Sequence, residues 1–294
     1  MSDSLNTSAS APFDILRPKQ WSAPLLFASP HSGQDYSTDF INASRLDPLS
    51  LRRSEDAFVD EIFAAAPDFG APLLRAHFPR VFVDANREPF ELDPKMFEAP
   101  LPATVNTTSP RVAAGLGTMA RVVTSGEEVY AGKLRFDEAQ KAIEATYFPY
   151  HEALKGLLEE ATALFGACLL IDCHSMPSIG GPMDRDPGFR RVDFILGDRY
   201  GASCAPALTD LVEKTLQSMD YVVTRNTPYA GGFTTEHYGK PEAGHHTLQI
   251  EINRALYMNE LKIARSDGFE QLKKDIGQLI GVLCNSDFKT LVST

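Results

Sequence analysis

Short apolar runs that end in polar clusters recur along this chain, and they set its plan. Residues 168–171 (CLLI) predict a strand buried on both faces, with Asp172, His174 and Ser175 at its far end. Residues 25–28 (LLFA) predict a second strand running into the Pro- and Gly-bearing turn SPHSG, which puts His31 just past its end. Residues 71–77 and 80–83 read as adjacent strands joined by a Phe-Pro turn, the second ending in Asp84-Ala85-Asn86-Arg87. Further strands are predicted at 192–196 and 221–224. In residues 248–253 Leu248, Ile250 and Ile252 alternate with Gln249, Glu251 and Asn253, so Glu251 shares one strand face with its two polar neighbours.

Helical spacing appears at 54–63, where Ser54 is a good N-cap and Glu55 and Asp56 fall in the first turn. It appears again at 136–165, where Pro149 is expected to end one helix and begin another, leaving His151 structural. Helices at 204–219 and 263–284 complete the pattern. Residues 88–128 have no clear element; a loop this long inside a domain is usually functional or mobile. The glycines of GLGT (115–118) follow no clear strand and lack a P-loop lysine, so nucleotide binding is a poor fit. No repeat or linker interrupts the pattern. One α/β domain over 13–294 is expected, after a small, polar, disordered tail at 1–12.

Composition narrows the function. A net charge of −11 argues against a nucleic-acid partner, though it leaves room for a local basic pocket. The four cysteines have no CxxC spacing and read as reduced core thiols. The amino terminus lacks the basic start and apolar run of a signal peptide, and no stretch approaches the ~20 apolar residues of a membrane span. A cytoplasmic location is therefore expected, with no membrane partner.

In open α/β sheets functional groups collect beyond the carboxyl ends of strands. His174 with Asp172 two residues before it suits a metal ligand and the carboxylate that orients it. Two strand-end histidines, an acidic pair, an Asn-Arg pair and a mid-strand Glu together suit metal-assisted amide hydrolysis. About three His and carboxylate ligands hold zinc, and a separate carboxylate moves the proton.

Those residues lie in SPHSG (29–33), EDAFVD (55–60), RVFVDANR (80–87), AGLGTMARV (114–122), YFPYH (147–151), IDCHSM (171–176), NTPYAGG (226–232) and HHTLQIEINRALYM (245–258). Through them the chain resembles the N-formylglutamate amidohydrolases, a family similar to the zinc carboxypeptidases. The resemblance implies a mixed central β-sheet flanked by helices, a phosphorylase/hydrolase-like fold, and zinc-dependent deformylation of N-formyl-L-glutamate in histidine degradation. It makes His31 and His174 zinc ligands and Glu251 the catalytic glutamate. It makes Asn86 and Arg87 the pair that grips a substrate carboxylate, with Tyr229 of the NTPYAGG lid at the substrate. The carboxypeptidase HxxE spacing is absent, because Gln34 stands where the Glu would be. The carboxylate ligand is then Glu55 or Asp56, with the EDxxVD pattern favouring Asp56. A dianionic substrate needs a second cation, Arg121 or Arg111. Iron, cobalt or manganese would suit the same ligands. Two other readings are a related hydrolase for another N-acyl amino acid and a non-catalytic small-acid-binding protein.

Overall fold

The computed structural model describes residues 11–123, 126–182, 184 and 186–293. Seven strands form one mixed sheet: β1 (Phe13–Leu16), β2 (Leu25–Ser29), β3 (Leu73–Ala76), β4 (Cys168–Met176), β5 (Phe194–Gly197), β6 (Val223–Arg225) and β7 (His245–Asn253). Their spatial order is β1-β3-β2-β4-β7-β5-β6. β3, β2, β4 and β7 run parallel; β1 is antiparallel to β3, and β5 to β7. Three long helices cover the sheet: α1 (Phe136–Phe165), α2 (Pro206–Gln217) and α3 (Phe269–Cys284). None of the described helices is long and apolar enough to cross a membrane.

Strand alternation sorts the core into two layers. Leu169, Ile171 and Cys173 of β4 pack with Leu248, Ile250 and Ile252 of β7 against residues of α2 and α3. Cys168 and Leu170 pack with Leu26, Ala28 and Leu74 against Tyr147, Tyr150 and Leu154 of α1. Because side chains alternate along a strand, Asp172 and His174 continue the α1 face. So do Gln249 and Glu251 on β7, where parallel register sets His174 beside Glu251 and Asp172 beside Gln249. The polar residues thus collect where the central parallel strands end on one face.

Three expectations are corrected. α1 runs unbroken through Pro149. A proline inside a helix costs ~3 kcal/mol. Tyr147, Tyr150 and Leu154 are buried around it, and a fully buried large apolar side chain returns ~1.5–3 kcal/mol, so packing wins. Residues 80–83 form a tight turn, with Phe82 and Val83 N–H both donating to the Pro79 carbonyl; Val81 and Val83 are apolar because the turn is buried. Helix in 54–63 is confined to Val59–Ile62, preceded by Phe58 at φ +67°. Asp56 N–H instead donates to the His31 carbonyl at 3.0 Å, so a tertiary contact takes residues 54–58 out of the helix.

Smaller differences follow. Residues 1–10 of the expected tail lie outside the described residues, and the carbonyls of Ala11 and Pro12 accept from His77. The last long helix begins at Phe269, since Ala264–Arg265 pairs with Met258–Asn259 as a small hairpin. All four cysteines are free thiols, as expected.

Candidate active site

His31 stands two residues beyond β2, on a turn fastened from both sides. Ser32 Oγ donates to the Asp56 carbonyl at 3.0 Å and accepts from Asp60 N–H at 3.1 Å. A Cβ on Gly33 would lie 2.3 Å from the Phe78 carbonyl oxygen, so only glycine lets these two loops approach. Asp56 is thereby carried to His31, while β4 delivers His174.

The three side chains converge, all buried. His31 Nδ1 lies 3.2 Å and His174 Nδ1 3.0 Å from the same oxygen, Asp56 Oδ2. The far nitrogen of each ring meets a second carboxylate: His31 Nε2 is 2.7 Å from Asp84 Oδ1, and His174 Nε2 is 2.9 Å from Asp172 Oδ2. With protons on both Nε2 atoms, two nitrogen lone pairs face one carboxylate oxygen. Three acceptors pointing at one spot suit a cation, and His-carboxylate pairing behind the ligands is the usual support for a bound metal. The other Asp56 oxygen accepts from Arg254 at 2.9 Å, which leaves Oδ2 for the shared position. Ligand atoms of His31, Asp56 and His174 all lie within 4.8 Å of one another. The donor set fits a divalent transition metal.

The electrostatics agree with the geometry. Burial opposes ionisation of Asp56, yet hydrogen bonds from His174 and His31 and the charge of Arg80 hold its carboxyl well below the usual range. Burial likewise opposes charge on Asp84, which Arg87, His31 and Arg80 hold well below that range. His174 is also buried, but Asp172 and Asp56 keep it well above the ordinary imidazole value, so the surroundings of the ring favour positive charge. Burial pushes Glu251 up to about 7. Gln249 Nε2 donates to its Oε1 at 2.8 Å, fixing one carboxylate oxygen beside His174.

Asn86 links this group to a cleft. Its Nδ2 lies 3.1 Å from His174 Nε2, its Oδ1 accepts from Thr234 N–H at 2.8 Å, and its own N–H donates to Asp84 Oδ1. The next residue, Arg87, is tied to the carbonyls of Leu116 and Asn86 and lines a cleft of about 520 Å³ with Arg111, Phe233, Glu236, His237 and Lys240.

Two expected residues are committed elsewhere. Glu55 accepts from Tyr36 Oη at 2.8 Å and is forked by Arg52, so of the acidic pair only Asp56 joins the histidines. Arg121 donates to Asp93 at 2.7 Å, and Arg111 occupies the cleft. Tyr229 lies under Arg191, whose guanidinium carbon is 5.0 Å from the ring centroid. His151 bridges Tyr238 Oη and the Ala85 carbonyl, a structural role. Arg80 and Arg254 were missed from the sequence. Both flank apolar strand-like runs, and a charge attached directly to such a run was the available signal.

A family model described as N-formylglutamate amidohydrolase matches residues 23–258. N-formylglutamate deformylases of Pseudomonas aeruginosa and Pseudomonas putida are each 30% identical to this chain over 251 residues, covering 84% of it and 86% of the relative. The crystal structure of N-formylglutamate amidohydrolase from Ralstonia eutropha is 36% identical and superposes with a TM-score of 0.87, over 95% of this chain and 99% of that one. A protein of Agrobacterium tumefaciens, 19% identical with a TM-score of 0.55 over 92% of this chain and 93% of its own, shares the fold.

Proposed function

The chain belongs to the N-formylglutamate amidohydrolase family, and from that premise we propose that it hydrolyses N-formyl-L-glutamate to formate and L-glutamate, in histidine degradation. Residues 13–294 act as one domain in this reading. His31, His174 and Asp56 would hold a divalent metal, zinc by the nature of the donors. Bound there, the metal supplies Lewis-acid polarisation of the formyl carbonyl and of a water molecule.

The remaining steps fall to the chain's own groups. Glu251, with one oxygen held by Gln249, takes the water's proton on the other and passes it to the departing amine. Arg80, half-buried against Asp56 and Asp84, adds fixed positive charge of the sign needed where the formyl oxygen becomes negative. Asp84 and Asp172 hold the imidazoles in one tautomer and orientation. Asn86 and Arg87 receive a substrate carboxylate, for which the planar guanidinium is the better partner. Tyr229, half-buried under Arg191, walls off solvent on the other side.

One observation carries this reading: two imidazole nitrogens and one carboxylate oxygen meet, with a further carboxylate behind each ring. The test is formate release from N-formyl-L-glutamate by purified protein, before and after chelation and zinc add-back. Release lost on chelation and restored by zinc is expected. No release from metal-loaded protein would discard this substrate and turn attention to other N-acyl amino acids.

A further inference from the structure

Asp56 reaches the two histidines from a loop, not from the sheet, so strand register does not fix its orientation. Its backbone is tied down by Asp56 N–H to the His31 carbonyl at 3.0 Å and by Ser32 Oγ to its own carbonyl at 3.0 Å. Neither bond restrains the carboxyl group, which is left to turn about its own axis. A carboxylate free to turn can hold an ion through one oxygen or through both. At this site the difference matters. Three single-atom protein donors leave one position of a four-coordinate ion open, and a second Asp56 oxygen would fill it.

Arg254 settles that choice. Its guanidinium is buried and donates to three groups at once: Nη2 to Asp56 Oδ1 at 2.9 Å, Nη1 to the Arg53 carbonyl at 3.2 Å, and Nε to Ser175 Oγ at 3.2 Å. Ser175 follows His174 on β4, and Arg53 precedes Asp56 in its loop. The arginine itself is pinned at the end of β7, in the short turn Arg254–Leu256. There Asn253 caps the turn by accepting from Ala255 N–H at 3.0 Å, and donates to the carbonyls of Arg191 and Val192. The loop bearing Asp56 is thus bolted to the two central strands that carry His174 and Glu251. Arg80 is no substitute, since its Nη1 stands 3.6 Å from Asp56 Oδ1 while its Nη2 serves Asp84 at 3.0 Å.

A lysine in the same place would bring the charge without the shape. Only a planar fork with fixed N–H directions reaches a carboxylate, a carbonyl and a hydroxyl together. With Oδ1 engaged, Oδ2 alone is left to face His31 Nδ1 and His174 Nδ1, at 3.2 and 3.0 Å. Given the metal-dependent reading above, on which this rests, we propose that Arg254 is a positioning residue. It makes Asp56 a one-oxygen ligand and builds the ion's site before the ion arrives, keeping one position open for the reaction.

The experiment titrates cobalt(II) into metal-free wild type, Arg254→Gln, Arg254→Lys, Ser175→Ala and Arg225→Gln. Affinity is read by competition with a chelator, and coordination number from the visible bands, which weaken as ligands are added. Arg254→Gln should bind ~10- to 100-fold more weakly. Its bands should also be weaker, because both Asp56 oxygens become free to bind. Arg254→Lys should lose nearly as much affinity, since charge alone does not orient the carboxyl group. Arg225→Gln breaks pairings with Asp210 and Glu213 on the edge strand β6, and should lose stability yet keep wild-type affinity and spectrum. Ser175→Ala removes one anchor of Arg254 and leaves its charge; several-fold weaker binding is expected, and this variant decides the matter should the Arg254 variants fail to fold. Wild-type affinity and spectrum in either Arg254 variant, or in Ser175→Ala where it alone folds, would overturn the proposal and leave the metal reading standing. No cobalt bound by wild type would overturn the metal reading, and this proposal with it.

Discussion

A carboxylate buried in mid-strand tends to stay protonated, and Glu251 follows that tendency: burial raises it to about 7 even with the charges of His174, Arg80 and Arg254 pulling it down. A divalent ion held by the histidines would act in the same direction, leaving Glu251 able to serve as the proposed base. Glu251→Gln keeps the shape and removes the proton acceptor. It should retain the metal and lose turnover by ~10²- to 10⁴-fold, measured as metal per chain and rate of formate release. Near-normal turnover would assign the base elsewhere. His151 makes a separate prediction, about stability. Burial lowers it to about 4, against an ordinary value of ~6.5. The folded state therefore favours the neutral ring. Its contribution is complete above the ordinary value and is lost as pH falls through it toward the folded value. Denaturant unfolding at pH 7 and pH 5 should show a larger fall for wild type than for His151→Gln. Equal falls would mean the ring is not held neutral.

At the scale of elements, the register of β4 against β7 makes the site, since it sets His174 beside Glu251. Both strands were legible: an apolar run with polar residues at its end, and strict alternation from Leu248 to Asn253. The histidines could be singled out because each follows a buried apolar run, although β4 continues through His174 to Met176 instead of ending at Ile171, and His31 stands two residues past β2. The choice between Glu55 and Asp56 was not legible, since it depends on Tyr36 and Arg52 capturing Glu55 from elsewhere in the fold. Arg121 and Arg111 look alike in sequence for the same reason, Asp93 being the difference. The helix expected through 54–58 gave way to the bond between Asp56 and His31, and the break expected at Pro149 gave way to packing on both sides of it. Local propensity was outweighed in each case by contacts between distant residues. The segment after β6 offers a test at this scale. A Cβ on Gly232 would fall 2.4 Å from Asn86 Nδ2, and Gly232 N–H donates to Gln249 Oε1. Gly232→Ala should push Asn86 and Gln249 from their places, cost ~1–3 kcal/mol by thermal unfolding and raise KM. No change in either would mean that Asn86 is not held by this contact.

Across the whole molecule, the candidate ligands come from three separate stretches: the turn after β2, the loop before Val59–Ile62 and the end of β4. An unfolded chain cannot hold them together, so metal binding is linked to folding. Removing the metal should lower Tm, and metal at ~100-fold over its Kd should restore ~2.7 kcal/mol. A Tm unmoved by chelation would place the ion elsewhere. The chain is acidic overall, at −11, yet presents Arg87, Arg111 and Lys240 in one cleft. Local field, not net charge, governs entry of a small dianion. The most direct measurement is the metal content of purified, dialysed wild type beside His174→Ala. About one divalent ion per wild-type chain and little in the variant are expected, with formate release following the metal. A metal-free wild type that still releases formate, or a variant that keeps its full complement, would contradict the metal site.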